Sequence, residues 1–471
     1  MSGLNRSLGL YDVVSLVIGT IVGADIYIAA SFGAGLLGPF AVFAWLIAGV
    51  MAIVIALCFA ECSSLVPEVG GPYAYARRAF GNFTGFIAGW SLLLAEWSSI
   101  AVFPLAFVAY LEFFIPNMPQ IFQIIIKFLF VLFLTFINFY GVRQAGKAND
   151  ILTILKVAPI LIFTIAGIAY FILKPALLIA NFTPIAPLGF GGLGSAIVLI
   201  FWAYVGFELV TVPSDEIIDS KRTIPLAIGI GMGVIALFYV ITNFVILGLV
   251  PWMQLSLSTA PLSLAGYTLV GAIGAGFLSI GALLSISGSD EAGILSAARI
   301  PYAMAADGLL PRMFAKVHPK YETPYVSLII QGIVTFVAAV FGTISQLIIL
   351  SVFTLLFCYL LTCVSVFPLR KIYNSGGFKL PWIVPVLGVL VAIYIMSQCA
   401  LNQIIIGGIL IILGIPVYAI FAPRTEIKTA RKELREGEDY VSQTIERDEI
   451  FLAKFIKQVR ELIIRTRRRF G

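Results

Sequence analysis

Long apolar runs separated by short polar turns pattern this chain from about residue 11 to about residue 421. Runs of about twenty apolar residues predict membrane-spanning helices, and about twelve can be drawn. They fall at 11–37, 39–65, 84–114, 120–140, 149–173, 189–212, 224–250, 264–304, 324–342, 345–369, 381–400 and 402–421. The first run is interrupted. Leu16–Ile28 reads LVIGTIVGADIYI, with Gly19, Thr20 and Gly23 followed at once by Asp25. Backbone N–H and C=O groups freed at bilayer depth are tolerated only where they line a protein cavity or hold a ligand. An acid at that depth costs roughly 2.5–3.5 kcal/mol on insertion scales and marks a functional site by default. The sixth run breaks similarly at Tyr204-Val205-Gly206-Phe207-Glu208. Interrupted spans five apart predict inverted repeats with a ligand held at their interface.

The expected fold class is therefore an all-α integral membrane protein with helices 1 and 6 broken. The repeats are expected at about 11–174 and 189–369, with extra helices over 381–421, in one transmembrane domain spanning 1–421. Residues 66–83 form a turn and a short helix along the inner surface, and Asp215–Pro225 and Asp307–Pro324 are further polar re-entries. Beyond residue 421 the chain turns charged. Phe451, Phe455, Val459 and Leu462 recur at helical spacing beside Lys454, Lys457, Arg460 and Arg465. Residues 422–471 are thus expected to form a cytoplasmic amphipathic tail on anionic lipid; a regulatory or partner-binding tail is the other reading.

Composition fits this pattern: 60% hydrophobic and 11% charged residues, against about 25% charged in soluble domains. The net charge of +6 needs no nucleic-acid partner, because the basic residues cluster. Arg77, Arg78, Arg143, Lys147, Lys221, Arg222, Arg312, Lys316, Arg370 and Lys371 fall in or beside loops on one side, whereas Lys174 stands nearly alone on the other. That asymmetry predicts a multi-pass protein of the cell membrane with both termini cytoplasmic. The first run is too long for a cleavable signal peptide and lacks its small-residue site. Cys58, Cys62, Cys358, Cys363 and Cys399 lie in spans without metal-site spacing and read as small buried apolar residues. His318 is the sole histidine and sits in a loop, which removes most His-based catalysis and metal binding. No phosphate-binding G-x-x-x-x-G-K-[ST] loop is present, which excludes a primary pump of that type. No cofactor and no enzymatic activity are expected.

Five segments in order resemble the signatures of the amino acid–polyamine–organocation superfamily. They are Gly19–Tyr27 (GTIVGADIY), Pro67–Gly81 (PEVGGPYAYARRAFG), Phe201–Glu208 (FWAYVGFE), Glu216–Pro225 (EIIDSKRTIP) and Ala298–Pro311 (ARIPYAMAADGLLP). The resemblance covers about 7–421. It implies a fold like the sodium-coupled leucine transporter, with a five-plus-five inverted repeat, and secondary transport of amino acids or amines. Two departures stand out: Asp25 where the family usually has a small residue, and Asp290 with Glu291 where its eighth span is usually neutral.

The resemblance implies that the amides after Gly19 and around Gly23, with Thr20 and Ala24, receive a substrate carboxylate, and that carbonyls near Trp202, Ala203 and Val205 receive an ammonium. Trp202 is either a lid making a cation–π contact or an ordinary buried aromatic. Asp25 binds ligand or a proton, or else caps the freed amides. Lys156 lies about 12 Å inside the fifth span by helical rise, where proton-coupled members carry a lysine; the alternative is a static ion pair with Asp25 or Glu291. Ser287 is expected to contact Lys156. Asp290 and Glu291, with Glu96 in the third span, are a candidate cation pathway. Glu291 pairing with Arg299 and Glu96 hydrogen-bonding another helix are the competing readings. Glu208 belongs to a common family motif that works in gating. Acids outnumber Lys156 in the spans, which tilts the cavity towards cations. The expected function is alternating-access transport of an amino acid or related amine, with protons and the lipid bilayer as partners. An exchanger without proton coupling and a membrane-embedded sensor are the alternatives.

Overall fold

The computed structural model describes residues 8–68, 70–140, 145–211, 217–373 and 378–421, with side chains over 145–152 excepted. The expected tail over 422–471, residues 215–216 of the second re-entry with 212–214 before it, and Arg143 and Lys147 lie outside what is described at side-chain level. Among the described residues every element is a helix, apart from an isolated bridge between Leu8 and Ile217. Nine helical stretches among the described residues are long and apolar enough to cross a membrane, and Leu10–Ile21, Tyr325–Phe341 and Ile383–Ser397 are shorter apolar helices.

The broken first span is α1 (Leu10–Ile21) and α2 (Ala24–Leu37); the second is α3 (Ala41–Leu65). A Gly70-Gly71 turn, both residues with positive φ, leads to α4 (Pro72–Phe80), the short helix expected there. The third span is α5 (Asn82–Ile100) with α6 (Val102–Leu111), the fourth α7 (Gln120–Tyr140) and the fifth α8 (Ala145–Leu173). After the connector α9 (Pro175–Asn181) comes the sixth, α10 (Leu193–Phe201), continued by 3-10 turns over Trp202–Tyr204 and Phe207–Thr211. The seventh is α11 (Ser220–Leu249), followed by the connector α12 (Trp252–Leu257) and then α13 (Pro261–Ala306), α14 (Tyr325–Phe341) and α15 (Ile344–Ile372). The helices α16 (Ile383–Ser397), α17 (Leu401–Ile412) and α18 (Gly414–Phe421) complete the bundle.

One boundary differs from expectation. The eighth run does not enter at residue 264 as a single helix, because Val270 and Gly271 leave helical geometry, Gly271 with φ of +67°. The first two turns fold back on the rest, so that Ser263 Oγ meets Ser279 Oγ at 2.8 Å across sixteen residues of chain. Apolar composition runs unbroken through this corner and hides it.

Burial grades the bundle. The sixth span is the most enclosed, with 78% of its apolar window buried, whereas α7 has 17%. Phe128, Phe133 and Phe136 of α7 and Ile162 and Ile165 of α8 face outward, as lipid-contacting side chains do. Lipid is as apolar as these residues, so packing between helices relies on small residues and polar contacts instead. The buried face of α3 shows this with Ala44, Ala48, Gly49 and Ala52. At the end bearing the basic loops, Arg370 makes a bidentate pair with fully buried Glu61 at 2.5 and 2.7 Å. Nearby, Tyr73 donates to Asp307 at 2.7 Å while Arg77 pairs with the same carboxylate. Burial and that carboxylate push the Tyr73 phenol above its ordinary range, which keeps it a donor.

Candidate functional site

At the first break α1 ends at Ile21, Val22 is extended, and α2 restarts after Gly23. Asp25 sits in the first turn of α2, where a helix N-terminus favours an anion. Its Oδ1 accepts the Gly23 N–H at 2.7 Å and its Oδ2 accepts the Tyr239 hydroxyl of α11 at 2.7 Å. The amides of Asp25 and Ile26 also face this carboxylate. Of the amides expected to receive a substrate carboxylate, that of Gly23 is thus engaged by the chain's own acid. The freed carbonyl of Val22 accepts from Ser289 at 2.7 Å and from Ser285 at 3.4 Å.

The second break repeats the device. Val205 and Gly206 separate the two 3-10 turns, and the Gly206 N–H donates to Glu208 Oε2 at 3.0 Å. The Tyr359 hydroxyl of α15 donates to the same oxygen at 2.5 Å, which leaves Glu208 Oε1 buried without a partner. Gly206 holds φ of +121°, and a Cβ there would lie 2.9 Å from the carbonyl oxygen of Thr20. The two breaks therefore touch, and only glycine allows the approach. The Trp202 carbonyl accepts the Val205 N–H at 3.2 Å, which engages one of its two lone pairs.

Between the breaks lies a cavity lined by Thr20, Ile21 and Asp25, by Glu96, Ser99 and Phe103 of the third span, by Trp202, Val205, Gly206 and Glu208, and by Ser289 of α13. Three carboxyl groups line it, and no lysine or arginine does. Trp202 closes one wall: its indole N–H donates to Ser99 Oγ at 2.9 Å and its ring stands edge-on to Phe103. Gly19, Ala24 and Ala203 are not among the lining residues, and Ala24 and Ala203 are fully buried.

Lys156 is 2% exposed and reaches from α8 to both partners of the first break. Its Nζ donates to Gly19 O at 3.4 Å and to Ser289 Oγ at 3.2 Å. Gly288 makes room, since a Cβ there would meet Lys156 Cε at 2.6 Å. The serine contacting this lysine is Ser289, a correction to the expected Ser287. Two residues turn a helix by about 200°, so Ser287 points elsewhere and donates to Leu283 O at 2.7 Å within its own helix.

The other expected acids separate. Glu96 lines the cavity beside Glu208. Asp290 and Glu291 do not line it. Among the described residues Glu291 makes no ion pair with Arg299, and its backbone carbonyl accepts from Asn138 of α7 at 3.3 Å. Sequence patterns did not single out Tyr239, Tyr359, Ser99 or Glu61. For the tyrosines no signal was available, because aromatic residues are common in spans. Ser289 was reachable by counting one turn on from Ser285.

A sequence model of the amino acid permease family matches residues 8–424. The chain belongs to that family. This permease is 27% identical over 444 residues to the branched-chain amino acid permease BcaP of Bacillus subtilis, covering 89% of this chain and 93% of that protein. It is 29% identical over 419 residues to the methylthioribose transporter of the same organism, covering 83% and 88%. It is also 28% identical over 406 residues to the chloroplastic cationic amino acid transporter 7 of Arabidopsis thaliana, covering 80% and 68%. The permease is accordingly a multi-pass membrane protein of an amino acid transport family.

Proposed function

We propose that this permease is a secondary active transporter that moves cationic amino acids and related amines by alternating access, with its termini in the cytoplasm of the cell. The observation that carries the proposal is the cavity between the two breaks, walled by Asp25, Glu96 and Glu208, three acids against one nearby amine, that of Lys156 behind Ser289. A cavity of one sign concentrates ligands of the other. Asp25 already occupies the Gly23 amide at the first break. A substrate therefore gains little there from a carboxylate, and its positive end gains most beside Glu96 and Glu208. The cationic amino acid transporter among the relatives agrees with this substrate class.

Lys156 supplies the coupling. Protonated, it ties the last turn of α1 to α13 through Gly19 and Ser289; neutral, it releases them. The inverted-repeat relation of the two breaks fits the same cycle, with substrate held where the repeats meet.

Counterflow in proteoliposomes tests the substrate class. Vesicles loaded with arginine are challenged with arginine, agmatine (its carboxylate-free amine) and leucine. Exchange with arginine and agmatine but not leucine is expected. Exchange with leucine alone would overturn the proposal.

A further inference from the structure

Asp290 stands apart from the substrate cavity. It follows Ser289, which faces the first break, so its side chain leaves the helix about 100° further round. It is fully buried, and neither carboxylate oxygen has a hydrogen-bond partner. Two neighbouring helices close on this part of α13. Asn138 of α7 donates to Glu291 O at 3.3 Å, and Gln331 of α14 donates to Ile294 O at 3.1 Å. Thr135 of α7 in turn abuts Gly332 of α14, its Oγ1 2.9 Å from where a Cβ would lie.

Helix geometry places the remaining groups within about one turn of Asp290 along the axis. Ile294 is one turn beyond Asp290 on the same face, and Thr335 is one turn beyond Gln331. Consecutive spans run antiparallel, so with Gln331 level with Ile294, Thr335 comes level with Asp290. The unpartnered buried atoms in this layer are all oxygens: both of Asp290, Asn138 Oδ1, Gln331 Oε1 and Thr335 Oγ1. An isolated buried carboxylate is not sustained in a medium of low dielectric without compensation. A layer of carboxylate, amide and hydroxyl oxygens with a single negative charge suits one hard monovalent cation.

We propose that the junction of α7, α13 and α14 is a binding site for one monovalent cation, a proton or a sodium ion, carried by Asp290. The other charged side chains on α13 and the elements packed on it are Glu291 and Arg299 on the helix itself, Glu96 on α5, Lys156 on α8, Asp25 on α2, Asp12 on α1, Lys127 on α7, Lys221 and Arg222 on α11 and Arg312 in the 3-10 turn after α13, and among the described residues none makes an ion pair with Asp290. Lys127 donates to Ala339 O, two turns along α14 from Gln331. The helices α6 and α14 contribute no Asp, Glu, Lys or Arg. The site needs no particular transported substrate, so its fate and that of the substrate assignment are separable.

The test uses the full chain in lipid nanodiscs. Binding of radioactive sodium ion is measured directly, and thermal unfolding is followed with sodium or choline between pH 5 and pH 8. The wild type is expected to bind sodium saturably or, if the ligand is the proton, to gain thermal stability on acidification without a sodium effect. Asp290→Asn should lose whichever response the wild type shows. Should that variant not fold, Thr335→Val and Gln331→Leu serve instead, each shifting the midpoint of the response by about tenfold, as loss of a ligand to a charge does. A wild type indifferent to both ions, or responses unchanged in the variants, would overturn the assignment.

Discussion

The two breaks are built from the same local device and differ in what surrounds it. In each, an acid two residues after a glycine accepts that glycine's N–H, and a buried tyrosine from another span donates to the acid. At the first break both oxygens of Asp25 are engaged and the Lys156 ammonium lies close by, held by Gly19 and Ser289. At the second, Glu208 keeps one oxygen unpartnered and lies beside another acid, Glu96. In the proposed cycle the first break, where Lys156 offsets Asp25, serves as a latch, and the second, where two acids adjoin, receives the cationic end of a substrate. Shape alone would not separate them; the charges in the surrounding spans do.

The largest expected effect breaks the second site. Glu208→Gln, with Glu96→Gln as its companion, should weaken arginine binding by about tenfold to a hundredfold, the cost of losing a charge-assisted contact away from water. Counterflow competition curves measure it, and undiminished affinity in both variants would move the cation elsewhere. Next comes the latch. Lys156→Ala should abolish the pH dependence of uptake while leaving equilibrium binding at fixed pH within about tenfold, since no direct ligand contact is removed. Uptake that keeps its wild-type rate and pH profile would leave the first break without a switching role.

A third substitution makes the breaks more alike. Asp25→Gly frees the amide of Gly23 for an external anion, so neutral amino acids should begin to compete with arginine; leucine remaining inert would show that the amides are closed for another reason. The smallest effects come from the tyrosines. Tyr239→Phe and Tyr359→Phe each remove one donor to a buried acid and should lower stability by about 1–3 kcal/mol, read as a drop in unfolding temperature. Equal drops would mean that the partner left on each acid matters more than the charge around it.

Much of the architecture was legible because membrane spans announce themselves by length and because charge inside them is rare. Asp25, Glu96, Glu208 and Lys156 stood out for that reason. What sequence could not give was azimuth. Ser287 and Ser289 are equally polar and two residues apart, yet only one faces Lys156. Likewise Asp290 and Glu291 read as a joint pathway with Glu96, whereas neither lines the cavity and Asp290 is fully buried away from it. The caps on the breaks were open alternatives, since a carboxylate near freed amides can bind a ligand or close them itself. Tyr239 and Tyr359 choose their acids across more than 150 residues, a pairing no local pattern records.

The most direct test of the difference between the breaks is equilibrium binding of arginine, agmatine and leucine to the purified wild-type protein. Arginine and agmatine are expected to bind within about tenfold of one another, and leucine at least about a hundredfold more weakly, as loss of a buried charge contact implies. Leucine binding as tightly as arginine, with agmatine excluded, would contradict the account: the first break would then hold a substrate carboxylate, and the acids of the second would not be substrate ligands.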